Sequence, residues 1–210
     1  MDILVYVILP LVIVLLSMTF HEAMHAYAGF WLGDDTAKVH GRLSFNPIKH
    51  IDPFLTILLP LMLVLAGLPV FGGAKPVPFN PNKVKFSEWG AAIIALSGPL
   101  MNFLIAFIFF GIWALAVPAD GSFLNILFGQ IVSINLAFFV FNLIPIPPLD
   151  GSRLLYALAP DFARRAMELI EQFGVVIVFL IIAIAGNSVG VYMQAAINFF
   201  YEVFSRVFGV

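Results

Sequence analysis

The sequence predicts an all-α, polytopic membrane protein with about five transmembrane helices, within a range of four to six. Three observations predict it. Hydrophobic residues make up 62% of the 210 residues and charged residues only 10%, where an ordinary globular chain carries about 25% charged. So few charges could not cover the surface of a soluble protein of this size. Several apolar stretches approach the roughly 20 residues that a bilayer span needs. Between them lie Gly, Pro and Asp signals that end helices. A formal charge of −2 without a basic tail argues against nucleic acid as a partner. The absence of cysteine excludes disulfides and thiolate zinc sites, so any metal must bind His, Asp or Glu.

The first span runs from residue 3 to about 32, interrupted by Pro10 and by Ser17, Thr19, His21, Glu22 and His25. It has no basic n-region and no small-x-small cleavage site, so it reads as a retained helix rather than a signal peptide. Gly33 and the Asp34-Asp35 pair end it. Residues 36–52 are polar. Within them 38–44 alternate weakly, as a short strand or hairpin would, and Asn46-Pro47 and Asp52-Pro53 signal turns. Residues 54–71 are apolar but short, with Pro60 inside. The run Gly72-Gly73-Ala74-Lys75-Pro76-Val77-Pro78 cannot be helical and predicts an extended, strand-like loop.

A span over 89–117 follows, carrying Gly98-Pro99 and Asn102, and then a turn at Pro118, Asp120 and Gly121. The next span, about 123–144, runs into Pro145-Ile146-Pro147-Pro148-Leu149-Asp150-Gly151. Residues 152–172 are polar enough for an interfacial helix. A further span begins at 173–185, Asn187, Ser188 and Gly190 suggest a turn, and 192–208 form a last helix, amphipathic or spanning. The whole of 1–210 is expected to be one integral-membrane domain, with its motifs in 1–151 and the interfacial and C-terminal helices in 152–210.

The basic residues choose between two topologies. Six lie between Lys38 and Lys85, three more are Arg153, Arg164 and Arg165, and the last is Arg206. If 54–71 crosses the bilayer, these charges fall on both sides. If it dips in and returns, nine share one face, and Arg206 joins them should the last helix span or lie there. The positive-inside rule names that face cytoplasmic. The second arrangement, with a re-entrant loop or short β element between the first and second full spans, is the preferred one. Non-helical backbone at membrane depth then needs shelter from protein or a water-filled cavity.

The chemistry concentrates in His21-Glu22-Ala23-Met24-His25. Residues i and i+4 share a helix face, so His21 and His25 can chelate one zinc. Glu22 can reach the zinc-bound water instead and act as general base. Three ionisable groups in one apolar helix cost at least about 2.5–3.5 kcal/mol each on insertion scales, which is hard to explain without a metal. Among the acids, Asp34 and Asp35 end the same helix and cannot easily fold back, and Asp52 and Glu88 lie in loops. Asp150 directly follows a membrane segment beside helix-breaking Pro147-Pro148 and Gly151. Under the re-entrant topology it meets His21 and His25 at one depth, in the cytoplasmic half of the bilayer. Under the rival topology no shared site forms.

Phe20-His21-Glu22-Ala23-Met24-His25, Ser97-Gly98-Pro99-Leu100-Met101-Asn102 and Asn142-Leu143-Ile144-Pro145-Ile146-Pro147-Pro148-Leu149-Asp150-Gly151 together resemble the three signatures of site-2 proteases, the intramembrane zinc metalloproteases of peptidase family M50. The resemblance implies one Zn2+ per chain held by His21, His25 and Asp150, with Glu22 as base. It also implies cleavage of a transmembrane helix of another protein, in a prokaryotic inner or plasma membrane. The loop around Gly72-Gly73 resembles that family's membrane re-entrant strand loop. No stretch is long enough for the PDZ or CBS domains that many relatives carry, so a minimal member is expected.

Asn102 and Asn142 are amides within apolar spans, expected either to bond between helices or to orient the substrate and stabilise an oxyanion. His40 and His50 are expected as loop histidines at the membrane surface. Two other classes remain open: a non-proteolytic zinc-binding membrane protein or transporter, and a membrane protease that cleaves lipidated termini.

Overall fold

The computed structural model describes residues 3–65 and 73–210. Eight α-helices occur among them: α1 (Leu9–Trp31), α2 (Thr36–Val39), α3 (Leu59–Leu65), α4 (Ser87–Ala116), α5 (Phe123–Asn142), α6 (Gly151–Leu158), α7 (Asp161–Gln172) and α8 (Gly174–Phe208). A π turn, Leu4–Ile8, leads into α1, and another, Pro53–Leu58, leads into α3. Four helices are long and apolar enough to cross a membrane, Leu4–Trp31, Ser87–Ala116, Phe123–Asn142 and Val176–Phe208. The chain is therefore an all-α integral membrane protein.

Polar side chains inside apolar helices fix how the spans pack. Gln130 of α5 donates to Val5 O before α1, Asn102 of α4 donates to Ser17 O of α1 and Asn135 Oδ1 of α5, and Trp113 of α4 donates to Asn125 of α5. These pairs run α4 antiparallel to both α1 and α5. Helix α8 runs the other way relative to α5. Its end packs Phe204 and Phe208 against Phe103, Phe107 and Phe110 of α4. With Val132 and Leu136 of α5 these form the main apolar core, at the end of the bundle where α4 finishes. A Cβ at Gly111 would come within 2.6 Å of the Phe208 ring, so that glycine lets the two helices close.

At the opposite end, α1 stops at Gly33 (φ +104°), a conformation that favours glycine. Lys85 N donates to Leu32 O, and Lys83 pairs with Asp35 at 2.6 Å, so the chain entering α4 is tied to the end of α1. Arg164 of α7 reaches Glu88 at 3.5 Å. The two ends of the apolar stretch after Asp52 also meet here. Gly73 N donates to Leu55 O, and Thr56 Oγ1 donates to Gly73 O at 2.7 Å. The turn expected at Gly72 lies outside the described residues.

Four expectations are corrected. Residues 38–44 do not pair as a strand or hairpin. The Asp34 carboxylate accepts from Thr36 N and Oγ1, a local turn that leads the chain into the helical turn α2. Residues 73–80 are extended, but no strand forms among the described residues. The polar stretch 152–172 is two helices, because Pro160 forces Ala159 into an extended conformation (ψ 144°). Finally, Asn187, Ser188 and Gly190 make no turn and sit inside the continuous helix α8. Arg206 therefore lies at the Phe208 end, away from the other nine basic residues. Each of these polar or small residues costs a helix at most about 1 kcal/mol. Breaking the backbone ladder in apolar surroundings costs more.

Candidate metal centre

His21 and His25 stand one turn apart on α1, and Ala23 and Ala26 beside them are fully buried against the bundle. The two imidazoles lie edge to face, with ring centroids 4.6 Å apart. Asp150 arrives from the other side of the bundle. After α5 ends at Asn142, the chain folds through bonds from Ile146 N to Ile144 O and Leu149 N to Ile146 O. Gly151 then lies so close to the Leu143 carbonyl that any side chain would collide with it. That return aims Asp150 back at α1. Asp150 Oδ2 lies 3.0 Å from His21 Nε2, and Oδ1 lies 3.5 Å from His25 Nε2.

The outer ring nitrogens fix the tautomers. His21 Nδ1 lies 2.6 Å from Asn102 Oδ1. The Asn102 amide nitrogen already faces two acceptors, Ser17 O and Asn135 Oδ1, so its oxygen must face His21. His21 Nδ1–H therefore donates, and Nε2 keeps its lone pair. His25 Nδ1–H donates to Ile94 O at 2.8 Å, which leaves its Nε2 free too. The Ile94 carbonyl sits in the turn of α4 that precedes Pro99. Ile94 O also accepts from Ser97 Oγ at 2.6 Å, while the carbonyl that Pro99 itself leaves without an i+4 donor is that of Ala95.

These residues fit a metal ion. Ligands at about 2.0–2.2 Å from a tetrahedral zinc stand about 3.3–3.6 Å from each other, close to the 3.0 and 3.5 Å found. The three donor atoms all lie within 4.8 Å of one another. Gly98 supplies the room. A Cβ there would come within 2.5 Å of His25 Nε2 and 2.7 Å of His21 Nε2. Acceptors on the outer nitrogens of both imidazoles, as found here, orient metal-binding histidines and raise their basicity.

The cluster opens into a cavity of about 490 Å³. Glu22 lines it, and no hydrogen bond or ion pair engages its carboxylate among the described residues. Asn142 lines it too, its amide donating to Phe138 O. Asn102 does not: it is fully buried behind His21. The extended segment with Gly73, Ala74, Pro76, Val77, Pro78 and Phe79 forms one wall, and Leu55, Leu59, Phe138, Phe141 and Val178 form the rest of a largely apolar lining. Arg153 stands at its polar edge.

Two residues of the 40–52 loop were missed as functional candidates. Arg42 and His50 are buried, not surface groups. His50 Nε2–H donates to Ser44 O at 2.7 Å, and burial lowers its imidazole below the usual range. Burial also lowers the Arg42 guanidinium, while the Glu22 charge acts the other way. Only the string Arg42…His50 beside apolar residues could have signalled this, and it does not distinguish burial from exposure. His40 is exposed, its ring bonded to Thr36 O.

Comparison with known proteins gives a consistent picture. The profile of Peptidase family M50 matches residues 118–186. The chain is 37% identical, over 97% of its own length and 92% of the relative's, to a Bacillus subtilis (strain 168) protein named “Putative zinc metalloprotease YwhC”. A protein of Mycolicibacterium smegmatis with the same description, Rip2, is 30% identical over 80% of this chain and 64% of the relative. A Methanocaldococcus jannaschii protein so described, MJ0611, is 42% identical over 62 residues. No solved structure matches.

Proposed function

Since the chain belongs to peptidase family M50, the site-2 protease family, and is a zinc metalloprotease of the membrane, we propose that it is an intramembrane endopeptidase that cuts transmembrane segments of other proteins. The observation that carries this reading is the position of the His21–His25–Asp150 cluster. Its two histidines lie on a membrane helix, Asp150 joins them from the connection after α5, and the cluster opens to a cavity with an extended wall.

His21 Nε2, His25 Nε2 and the Asp150 carboxylate would hold the zinc ion. Bound there, zinc acts as a Lewis acid that polarises the scissile carbonyl and lowers the pKa of water towards about 7. Glu22 follows His21 on the same helix, so its carboxylate reaches past the ligand set into the cavity. One of its oxygens takes the proton from the attacking water and returns it to the leaving amide nitrogen. Asn102 keeps His21 in the tautomer that leaves Nε2 unprotonated. Asn142, on the cavity wall, faces the substrate and stabilises charge on its carbonyl oxygen.

A helical substrate must unwind before its carbonyl can be attacked. The apolar cavity receives its side chains, and the extended 73–79 wall offers backbone groups for an added strand. The return of Gly73 to Leu55 and Thr56 supports the reading of a re-entrant element after Asp52. The end of the bundle with nine basic residues then faces the cytoplasm by the positive-inside rule, in a prokaryotic cell membrane. The test is Glu22→Gln in purified protein against a membrane-embedded reporter peptide. Zinc stoichiometry should stay at the wild-type value while kcat falls by about 10²–10⁴-fold. Intact cleavage by zinc-loaded Glu22→Gln removes Glu22 from the mechanism.

A further inference from the structure

The loop between α1 and the π turn holds a buried cation that the mechanism above does not use. Arg42 is buried in a polar connection, where a charge would ordinarily stay in water. Its two terminal nitrogens donate to two backbone carbonyls, Lys49 O in its own loop and Lys75 O in the extended segment. Lys75 is held a second time, because its N–H donates to His50 O at 2.9 Å. His50 is itself buried and anchored to Ser44 O. Both main-chain groups of Lys75 are thus fixed by one loop. Thr56 Oγ1, donating to Gly73 O, adds a nearby pin. Further along, Asn80 N donates to Asp34 Oδ2 at 2.7 Å.

Between these anchors the chain is open. Among the described residues no hydrogen bond engages the backbone of Val77 or Phe79, and both line the metal-site cavity. Pro76 and Pro78 lack N–H groups and restrict their own φ, so this stretch is stiff as well as unpaired. Its place over the metal site follows from where Lys75 is held. A guanidinium can bridge two carbonyls because its donors form a rigid planar fork, which an ammonium group lacks.

We infer that Arg42 is a positioning residue for substrate, fixing the 73–79 wall where an unwound segment must lie to meet Glu22 and the metal ligands. The inference rests on the endopeptidase reading. It assigns to Arg42 an effect on substrate capture and none on the metal, and Arg42→Lys, which keeps the charge that Glu22 feels, separates this from any effect on proton transfer.

The test uses full-length protein in proteoliposomes loaded with zinc, and a fluorogenic transmembrane peptide. Arg42→Gln should keep wild-type zinc content and raise KM about tenfold with kcat within about twofold, the signature of lost binding common to ground and transition states. A photoreactive benzophenone placed at position 77 in a Glu22→Gln background should cross-link the peptide. Adding Arg42→Gln should cut that yield about fivefold or more, in line with the lost binding. Arg42→Lys should restore only part of it. Thr56→Val, nearly isosteric, should move KM the same way by less, and serves alone if Arg42→Gln does not fold. Unchanged KM and cross-linking in these variants overturn the inference, as does zinc loss in step with KM. Wild-type protein that cross-links the peptide without cutting it refutes the endopeptidase reading instead. Variants that cut and cross-link like wild type refute the inference alone.

Discussion

Asn102 and Asn142 are indistinguishable as sequence features, two amides in apolar spans near a motif. Three-dimensional placement separates them. Asn102 is buried with its oxygen on His21 Nδ1 and its nitrogen on Ser17 O and Asn135, whereas Asn142 lines the cavity. Asn102→Leu should therefore weaken zinc binding by about 10–100-fold, the usual cost of losing a ligand's outer partner. Asn142→Leu should leave zinc affinity unchanged and lower kcat. Competition with a zinc chelator measures both, and equal zinc affinities in the two variants would sink the distinction. His21, Glu22, His25 and Asp150 were legible in the sequence because their chemistry is local: a one-turn repeat on a helix, and an acid at a proline-glycine break. Arg42 and His50 were not. Their burial depends on the extended segment returning from 25–33 positions further along the chain to lie on their loop, and no periodicity records such a contact.

The helices themselves were mostly readable, since apolar length and Gly or Pro punctuation set the ends of α1, α4 and α5 within a few residues. The C-terminal element was not, because Asn187, Ser188 and Gly190 carry turn character that the helix overrides. Nothing lies within 4 Å of a Cβ built on Gly190, and its φ is not positive. Gly190→Ala should therefore be accommodated and should stabilise α8 by up to about 1 kcal/mol through helix propensity, seen as a raised unfolding midpoint in detergent. A lowered midpoint would place a bend at Gly190. Pro160 acts in the opposite sense. It splits the amphipathic stretch into α6 and α7, so that Arg164 of α7 can bond the last carbonyls of α6, Tyr156 O and Ala157 O, and reach Glu88 of α4.

Across the whole molecule, charge is polarised. Lys38, Arg42, Lys49, Lys75, Lys83, Lys85, Arg153, Arg164 and Arg165 lie at the metal-centre end, and Arg206 lies beside Glu202 at the other. The natural chain has no cysteine, so single Arg165→Cys and Arg206→Cys variants can be labelled cleanly. An impermeant maleimide added outside intact spheroplasts should label position 206 and not 165, with both labelled after lysis. Labelling of both from one side would contradict a single continuous α8. That helix also links two distant places. Its far end is clamped by Phe204 among the rings of α4, while its near end carries Val178 on the cavity wall and Gly174 packed on Pro148, two residues before Asp150. The 26 residue steps from Val178 to Phe204 span about 39 Å. One continuous helix thus joins the aromatic cluster at one end of the molecule to the cavity wall and the loop that carries Asp150 at the other.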